Sequence, residues 1–136
     1  MRELREGAVI GGSEKILLVE DHDLVREQVT IQLRRLGYQV VVAEDGVEAL
    51  ETLKATPDVR LLFTDVVMPR GLNGLELAAE AKKLRPDLPV LLTTGYSEQL
   101  MRRSDQLCPG MSWLNKPYLP EELAAKIRAA LDGAIV

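Results

Sequence analysis

Apolar residues fall along the chain in two alternating patterns. Five short, nearly continuous apolar runs, KILLVE (15–20), YQVVVA (38–43), VRLLFTD (59–65), PVLLTT (89–94) and MSWLN (111–115), have the length and composition of β-strands. The segments between them repeat apolar residues at helical spacing. In the first, Val25, Val29, Leu33 and Leu36 share one face, and Gly37 follows where a left-handed C-terminal cap belongs. Val47, Leu50 and Leu53 mark the second, which Asp45 caps while Glu48, three residues on, reaches back to a free amide. Leu77, Ala81 and Leu84 mark a third, opened by Asn73 and stopped before Pro86. A fourth, at about 97–107, holds Leu100, Met101 and Leu107 without a clean stripe and is expected to be the loosest. The fifth opens on Pro120, has Glu121 and Glu122 in its first turn, and carries Leu123, Ile127, Ala130 and Leu131 as its buried stripe.

Strands that are apolar at nearly every position need cover on both faces, which parallel strands joined by crossover helices supply. The (βα)5 order therefore predicts an α/β, doubly wound three-layer sandwich. Right-handed crossovers make the flavodoxin-like parallel order 2-1-3-4-5 the expected sheet. Residues 1–14, mixed in charge and ending in Gly11-Gly12-Ser13, predict a flexible leader or linker. The folded domain is expected over 15–132, with a short tail at 133–136.

A chain of 136 residues is the size of one domain. Its 46% hydrophobic and 28% charged residues fit a soluble globular protein, and the net charge of -4 disfavours a nucleic-acid partner. No apolar run approaches a membrane span, and the opening MRELREGAVIGGSEK lacks the apolar centre of a secretory signal, so a cytoplasmic location is expected. Cys108, the single cysteine, forms no internal disulfide. With no histidine beside its Cys-Pro-Gly turn it reads as structural.

In a doubly wound sheet, ligands bind at the carboxyl ends of the strands. Those ends carry Glu20 and Asp21 after the first strand, Asp65 after the third, Thr94 after the fourth and Lys116 after the fifth. Three carboxylates on one edge repel one another unless a cation joins them, and hard oxygen ligands with open water positions suit Mg2+. A lysine and a hydroxyl facing the same point supply what a transferred phosphoryl group needs, because its catalysis is mostly positioning and electrostatics. Asp65 is the nucleophile candidate. Taken singly, each residue has a plainer reading: Glu20 and Asp21 as helix caps, Asp65 as a loop acid, Thr94 as a turn residue, Lys116 as a solvated charge. Matching groups on the correct ends of the correct strands favour the joint reading.

From Lys15 to about Leu131 the chain resembles a response-regulator receiver domain of two-component signalling. The resemblance rests on Leu18-Val19-Glu20-Asp21, Asp65-Val66-Val67-Met68-Pro69, Asn73-Gly74-Leu75-Glu76-Leu77, Thr93-Thr94-Gly95 and Lys116-Pro117, in that order. It implies that Asp65 is the phosphoacceptor, that Glu20, Asp21, Asp65 and the Val67 carbonyl hold Mg2+, that Thr94 follows the phosphoryl group, and that Lys116 binds a phosphate oxygen. Trp113 stands where the family keeps an aromatic that turns inward on activation. Val67 and Tyr96 stand where hydrolysis of the acyl phosphate is modulated, and a bulky apolar pair there is expected to prolong the phosphoryl state.

The resemblance also implies partners. The donor would be a histidine kinase or a histidine phosphotransfer domain, because His22, the only histidine, sits at a helix start and no helical bundle is encoded. The output would be a population shift that alters the face made by the fourth helix, fifth strand and fifth helix, read by a downstream protein. No nucleic-acid or membrane partner is expected. The protein is thus read as a phosphoprotein of a phosphorelay. It catalyses its own phosphorylation, with self-dephosphorylation as the one further reaction, and does not act as an enzyme on a free metabolite. Two departures stand out. Glu20 occupies a position where aspartate is more frequent, which lengthens its reach to the metal. The segment Pro69-Arg70-Gly71-Leu72-Asn73-Gly74 is one residue longer than the commonest form, a variation associated with receivers of hybrid histidine kinases.

Three other classes compete. A haloacid-dehalogenase-like phosphatase wants a second aspartate two residues after the first, where this chain has Val67. A flavodoxin-like nucleotide binder wants a glycine-rich or hydroxyl-rich loop after the first strand, whereas Glu20-Asp21-His22-Asp23 repels phosphates without a metal. A receiver fold used as a phosphorylation-independent interaction module is the alternative reading, and the intact acceptor site argues against it.

Overall fold

Every apolar run forms a strand within a residue of its expected ends: β1 Lys15–Val19, β2 Gln39–Ala43, β3 Val59–Asp65, β4 Val90–Thr94 and β5 Met111–Asn115. The structure is a computed structural model that describes residues 11–68, 71–95 and 111–133. Tyr96, the helix expected at 97–107, Cys108, Pro69, Arg70 and both chain ends lie outside the described residues. The helices are α1 Asp23–Arg35, α2 Gly46–Ala55, α3 Gly74–Leu84 and α4 Pro120–Leu131, the last being the fifth helical segment of the sequence pattern.

All strand pairs are parallel, and the sheet runs β2-β1-β3-β4-β5, the expected 2-1-3-4-5 order. Alternation along each strand divides the core into two layers, one on each face of the sheet. Ile16, Leu18, Leu61, Phe63 and Leu91 meet Val29 and Leu33 of α1 and Leu123 and Ile127 of α4. Leu17, Val19, Leu62, Val90 and Leu92 meet Ala49 and Leu53 of α2 and Leu77 and Ala81 of α3. This accounts for strands that are apolar at successive positions.

Local chemistry sets the helix ends. Gly37, at φ 101, closes α1 in a Schellman arrangement in which its amide reaches Arg34 O at 2.9 Å and the Tyr38 amide reaches Leu33 O at 3.2 Å. Asn73 and Glu76 form a reciprocal capping box at α3. At α2, Asp45 caps the Glu48 amide at 2.9 Å, but the Glu48 side chain returns to the amide of Glu44, one residue further back than the cap. Two stripe residues differ from the pattern: Val47 and Leu84 are exposed. The buried faces run through Gly46, Ala49 and Leu53 in α2 and through Gly74, Leu77, Ala78 and Ala81 in α3. Small residues win those positions because the helices lie close to their neighbours. A Cβ on Gly46 would press on Leu72.

Residues 11–14 are tied to the domain. The Gly12 amide donates to Leu36 O at 3.1 Å, and Arg128 of α4 reaches Gly11 O at 3.1 Å while pairing both oxygens of Glu14.

Candidate functional site

The carboxyl ends of β1, β3, β4 and β5 meet at one edge of the sheet, and the chain leaves each strand there under tight hydrogen-bond control. After β1, the Glu20 amide continues the ladder to Ala43 O at 3.1 Å. Its carboxylate turns back to accept the His22 amide at 3.0 Å, and its carbonyl accepts Arg26 Nη1 at 2.8 Å. Glu20 is therefore only 6% exposed and does not cap α1; that place belongs to His22. Asp21, beside it, is half-buried.

Asp65 ends β3 and is 9% exposed. Beyond it the Val66 amide bonds Thr93 O at 3.0 Å, and the Val66 carbonyl accepts the Gly74 amide at 2.8 Å. That last bond brings the start of α3 directly behind the acid. A Cβ at residue 74 would collide with the Asp65 carbonyl oxygen, so glycine is required by close approach. Val67 follows with its side chain exposed.

Thr94 ends β4 completely buried, and its hydroxyl donates to Asn115 Oδ1 at 3.2 Å. The Lys116 amide bonds Thr94 O at 2.7 Å, and a cis peptide joins Lys116 to Pro117. From that position Lys116 Nζ reaches Asp65 Oδ2 at 2.8 Å. Trp113, three residues before Lys116, is half-buried against the α2–α3 core layer and lines a groove of about 600 Å3 with Pro117 and, on α4, Ala125 and Ala129.

The electrostatics follow from burial. Removal from water raises the Glu20 pKa above the ordinary carboxylate value; the His22 amide opposes the rise, and the Asp65 charge adds to it. The Tyr118 phenol is pushed up to about 12, first by burial and then by the charges of Glu20 and Asp65. A cavity of about 60 Å3 lies between these groups, lined by Glu20, Asp65, Lys116 and Tyr118 among others. Three carboxylates thus share the edge with one ammonium group. Carboxylates crowded at one edge would gain from a hard divalent cation that takes oxygen ligands and keeps several of its waters. Among the described residues no three histidine, cysteine, aspartate or glutamate side chains stand close enough together to enclose an ion.

The structure therefore brings Glu20, Asp65 and Lys116 together around one cavity, with Asp21 beside Glu20; Thr94 ends the neighbouring strand with its hydroxyl on Asn115, Val67 is exposed two residues beyond Asp65, and Trp113 lies on β5. Tyr96 lies outside the described residues. Four contributors escaped the sequence reading: Arg26, which holds the Glu20 carbonyl; Gly74, quoted only as part of a motif; Asn115; and Tyr118. Asn115 was accessible in principle, since parallel register pairs it with Thr94.

Comparison with known proteins adds an independent finding. The response regulator receiver domain family matches residues 16–128. The chain is 33% identical to the sensor kinase CckA of Brucella abortus over 132 residues, covering 96% of this chain and 14% of that protein. It is 40% identical to the response regulator MprA of Mycobacterium ulcerans over 120 residues, covering 88% of this chain and 50% of that protein. The chain thus spans half or less of the length of these relatives. Among solved structures, the response regulator TrrA of Thermotoga maritima, in complex with Mg(2+)-BeF, superposes with a TM-score of 0.75 at 32% identity, covering 86% of this chain and 98% of that one. No helix among the described residues is long and apolar enough to cross a membrane.

Proposed function

The chain belongs to the response regulator receiver domain family, and from that premise we propose that it is a phosphorylation-controlled switch whose acceptor is Asp65. The observation that carries this reading is the contact of Lys116 Nζ with Asp65 Oδ2 at 2.8 Å, at the carboxyl edge of a parallel sheet. A buried carboxylate held by a lysine is a poised acceptor: one oxygen is oriented by the ammonium, and the other remains to attack.

The donor is a phosphohistidine on a histidine kinase or histidine phosphotransfer domain. An Asp65 oxygen attacks phosphorus, the phosphorus–nitrogen bond breaks, and its electron pair returns to the imidazole, which takes a proton. Lys116 stays with the oxygens as their charge redistributes, and the Thr94 hydroxyl supplies a further donor. Glu20, Asp21, Asp65 and the Val67 carbonyl would hold Mg2+. When bound, the ion would neutralise charge on the phosphoryl oxygens and on the carboxylates. The reaction consumes no free metabolite, so the chain acts on its own acceptor, in a cytoplasmic setting. Val67 and Tyr96 are read as controls on acyl-phosphate lifetime. Trp113, with the exposed parts of β5 and α4, is read as the output surface for a downstream protein; the fourth helix expected to join it lies outside the described residues.

Titration with beryllofluoride and Mg2+, followed by Trp113 fluorescence, tests this. A saturable change that Asp65→Asn abolishes is expected. No change in the wild type would favour a phosphorylation-independent interaction module.

A further inference from the structure

The proposed switch hydroxyl already has a partner in the neighbouring strand. Thr94 is wholly buried, and its Oγ1 donates to Asn115 Oδ1 at 3.2 Å. The β4–β5 register sets Thr94 and Asn115 side by side, and the Lys116 amide, 2.7 Å from Thr94 O, fixes that register where the strands end. A threonine hydroxyl has one proton to give. Buried, it loses free energy if it leaves one acceptor without finding another. Thr94 therefore moves only in exchange for a competing oxygen. Asn115 and Lys116 are adjacent in sequence, so one strand end carries both resting contacts, Asn115 on Thr94 and Lys116 on Asp65.

We propose that Asn115 is a positioning residue for Thr94. Its amide oxygen keeps the hydroxyl on β5 in the unphosphorylated protein and competes with a phosphoryl oxygen on Asp65 for the same proton. Asn115 thereby sets how far the switch rests toward its inactive arrangement. The inference rests on the reading of Asp65 as acceptor and Thr94 as switch residue. A competing hydrogen bond of ordinary net strength makes the activated arrangement about fivefold rarer than it would be without Asn115. Asn115 need never touch the phosphoryl group to have this effect.

The test compares wild type, Asn115→Ala, Asn115→Leu, Thr94→Val and the Asn115→Ala/Thr94→Val double variant, each as the full chain. Beryllofluoride is titrated in the presence of Mg2+, with Trp113 fluorescence as the readout. Both Asn115 variants are expected to raise the apparent affinity about fivefold, Leu retaining the side-chain bulk that Ala removes. Thr94→Val is expected to lower it, and adding Asn115→Ala to Thr94→Val is expected to change nothing further. An equal gain in the Thr94→Val background, or no gain in the wild-type background, would overturn the proposal. The Thr94 χ1 distribution, read from three-bond methyl couplings in the unphosphorylated protein, reports the hold without any phosphoryl chemistry. One rotamer is expected in wild type and averaging in Asn115→Ala; an unchanged single rotamer overturns the proposal. A wild type that ignores beryllofluoride is a different outcome, since it overturns the acceptor reading and takes this inference with it.

Discussion

Lys116 Nζ donates to Asp65 Oδ2 at 2.8 Å, joining the end of β5 to the end of β3 across an otherwise acidic edge. Lys116→Met would leave Asp65 largely buried beside Glu20 without its cation. The lysine side chain is itself 36% exposed, so the penalty falls below that of a fully buried pair, at about 1–2 kcal/mol. Chemical denaturation should show this loss, and it should shrink in an Asp65→Asn background because the two residues act as a unit.

Glu20 is held in a place that disfavours its charge. Glu20→Gln keeps an acceptor for the His22 amide and removes one anion from the edge. The variant is expected to melt higher than wild type at neutral pH without Mg2+. Added Mg2+ should raise the wild-type melting temperature by mass action, and should raise that of Glu20→Gln less. Paired thermal melts with and without the ion check both statements.

The start of α3 lies against the acceptor strand through Gly74. Gly74→Ala would force its methyl into the Asp65 carbonyl, and a loss of about 2–4 kcal/mol is expected from the resulting backbone shift. Leu84→Ala, on the exposed side of the same helix, should cost under about 1 kcal/mol.

Much of this was legible in the sequence because period and burial are coupled in a parallel sheet. The runs at 15–20 and 59–65 are apolar on successive residues, which fits only strands covered on both faces, and that feature carried the topology and with it the edge where Glu20, Asp65, Thr94 and Lys116 gather. Helix faces were less legible. Val47 and Leu84 looked like core by composition, while Gly46, Ala49 and Ala78 hold the buried places because closeness, not size, decides there. The contacts of Asn115 and Arg26 depend on register and on a side chain folding back over six residues, which no local pattern announces.

Arg128 holds Glu14 through contacts of 3.2 and 2.7 Å, and this lowers the Glu14 carboxyl from 4.5 to about 2. A depressed carboxylate stabilises the fold above its unfolded value and loses that contribution as pH falls through the folded one. Glu14→Gln should therefore be less stable than wild type at pH 7, by less than about 1 kcal/mol because the pair is near the surface. The difference should vanish as pH drops from 4.5 toward about 2. Denaturation midpoints across that range measure it.

The central claim is that Asp65 is the phosphoacceptor, and intact-mass measurement after incubation with acetyl phosphate and Mg2+ tests it most directly. Wild type should gain the mass of one phosphoryl group, replaced on treatment with hydroxylamine by the smaller gain of a hydroxamate as phosphate leaves, while Asp65→Asn gains none. An unchanged wild-type mass, or an equal gain in Asp65→Asn, would contradict the account.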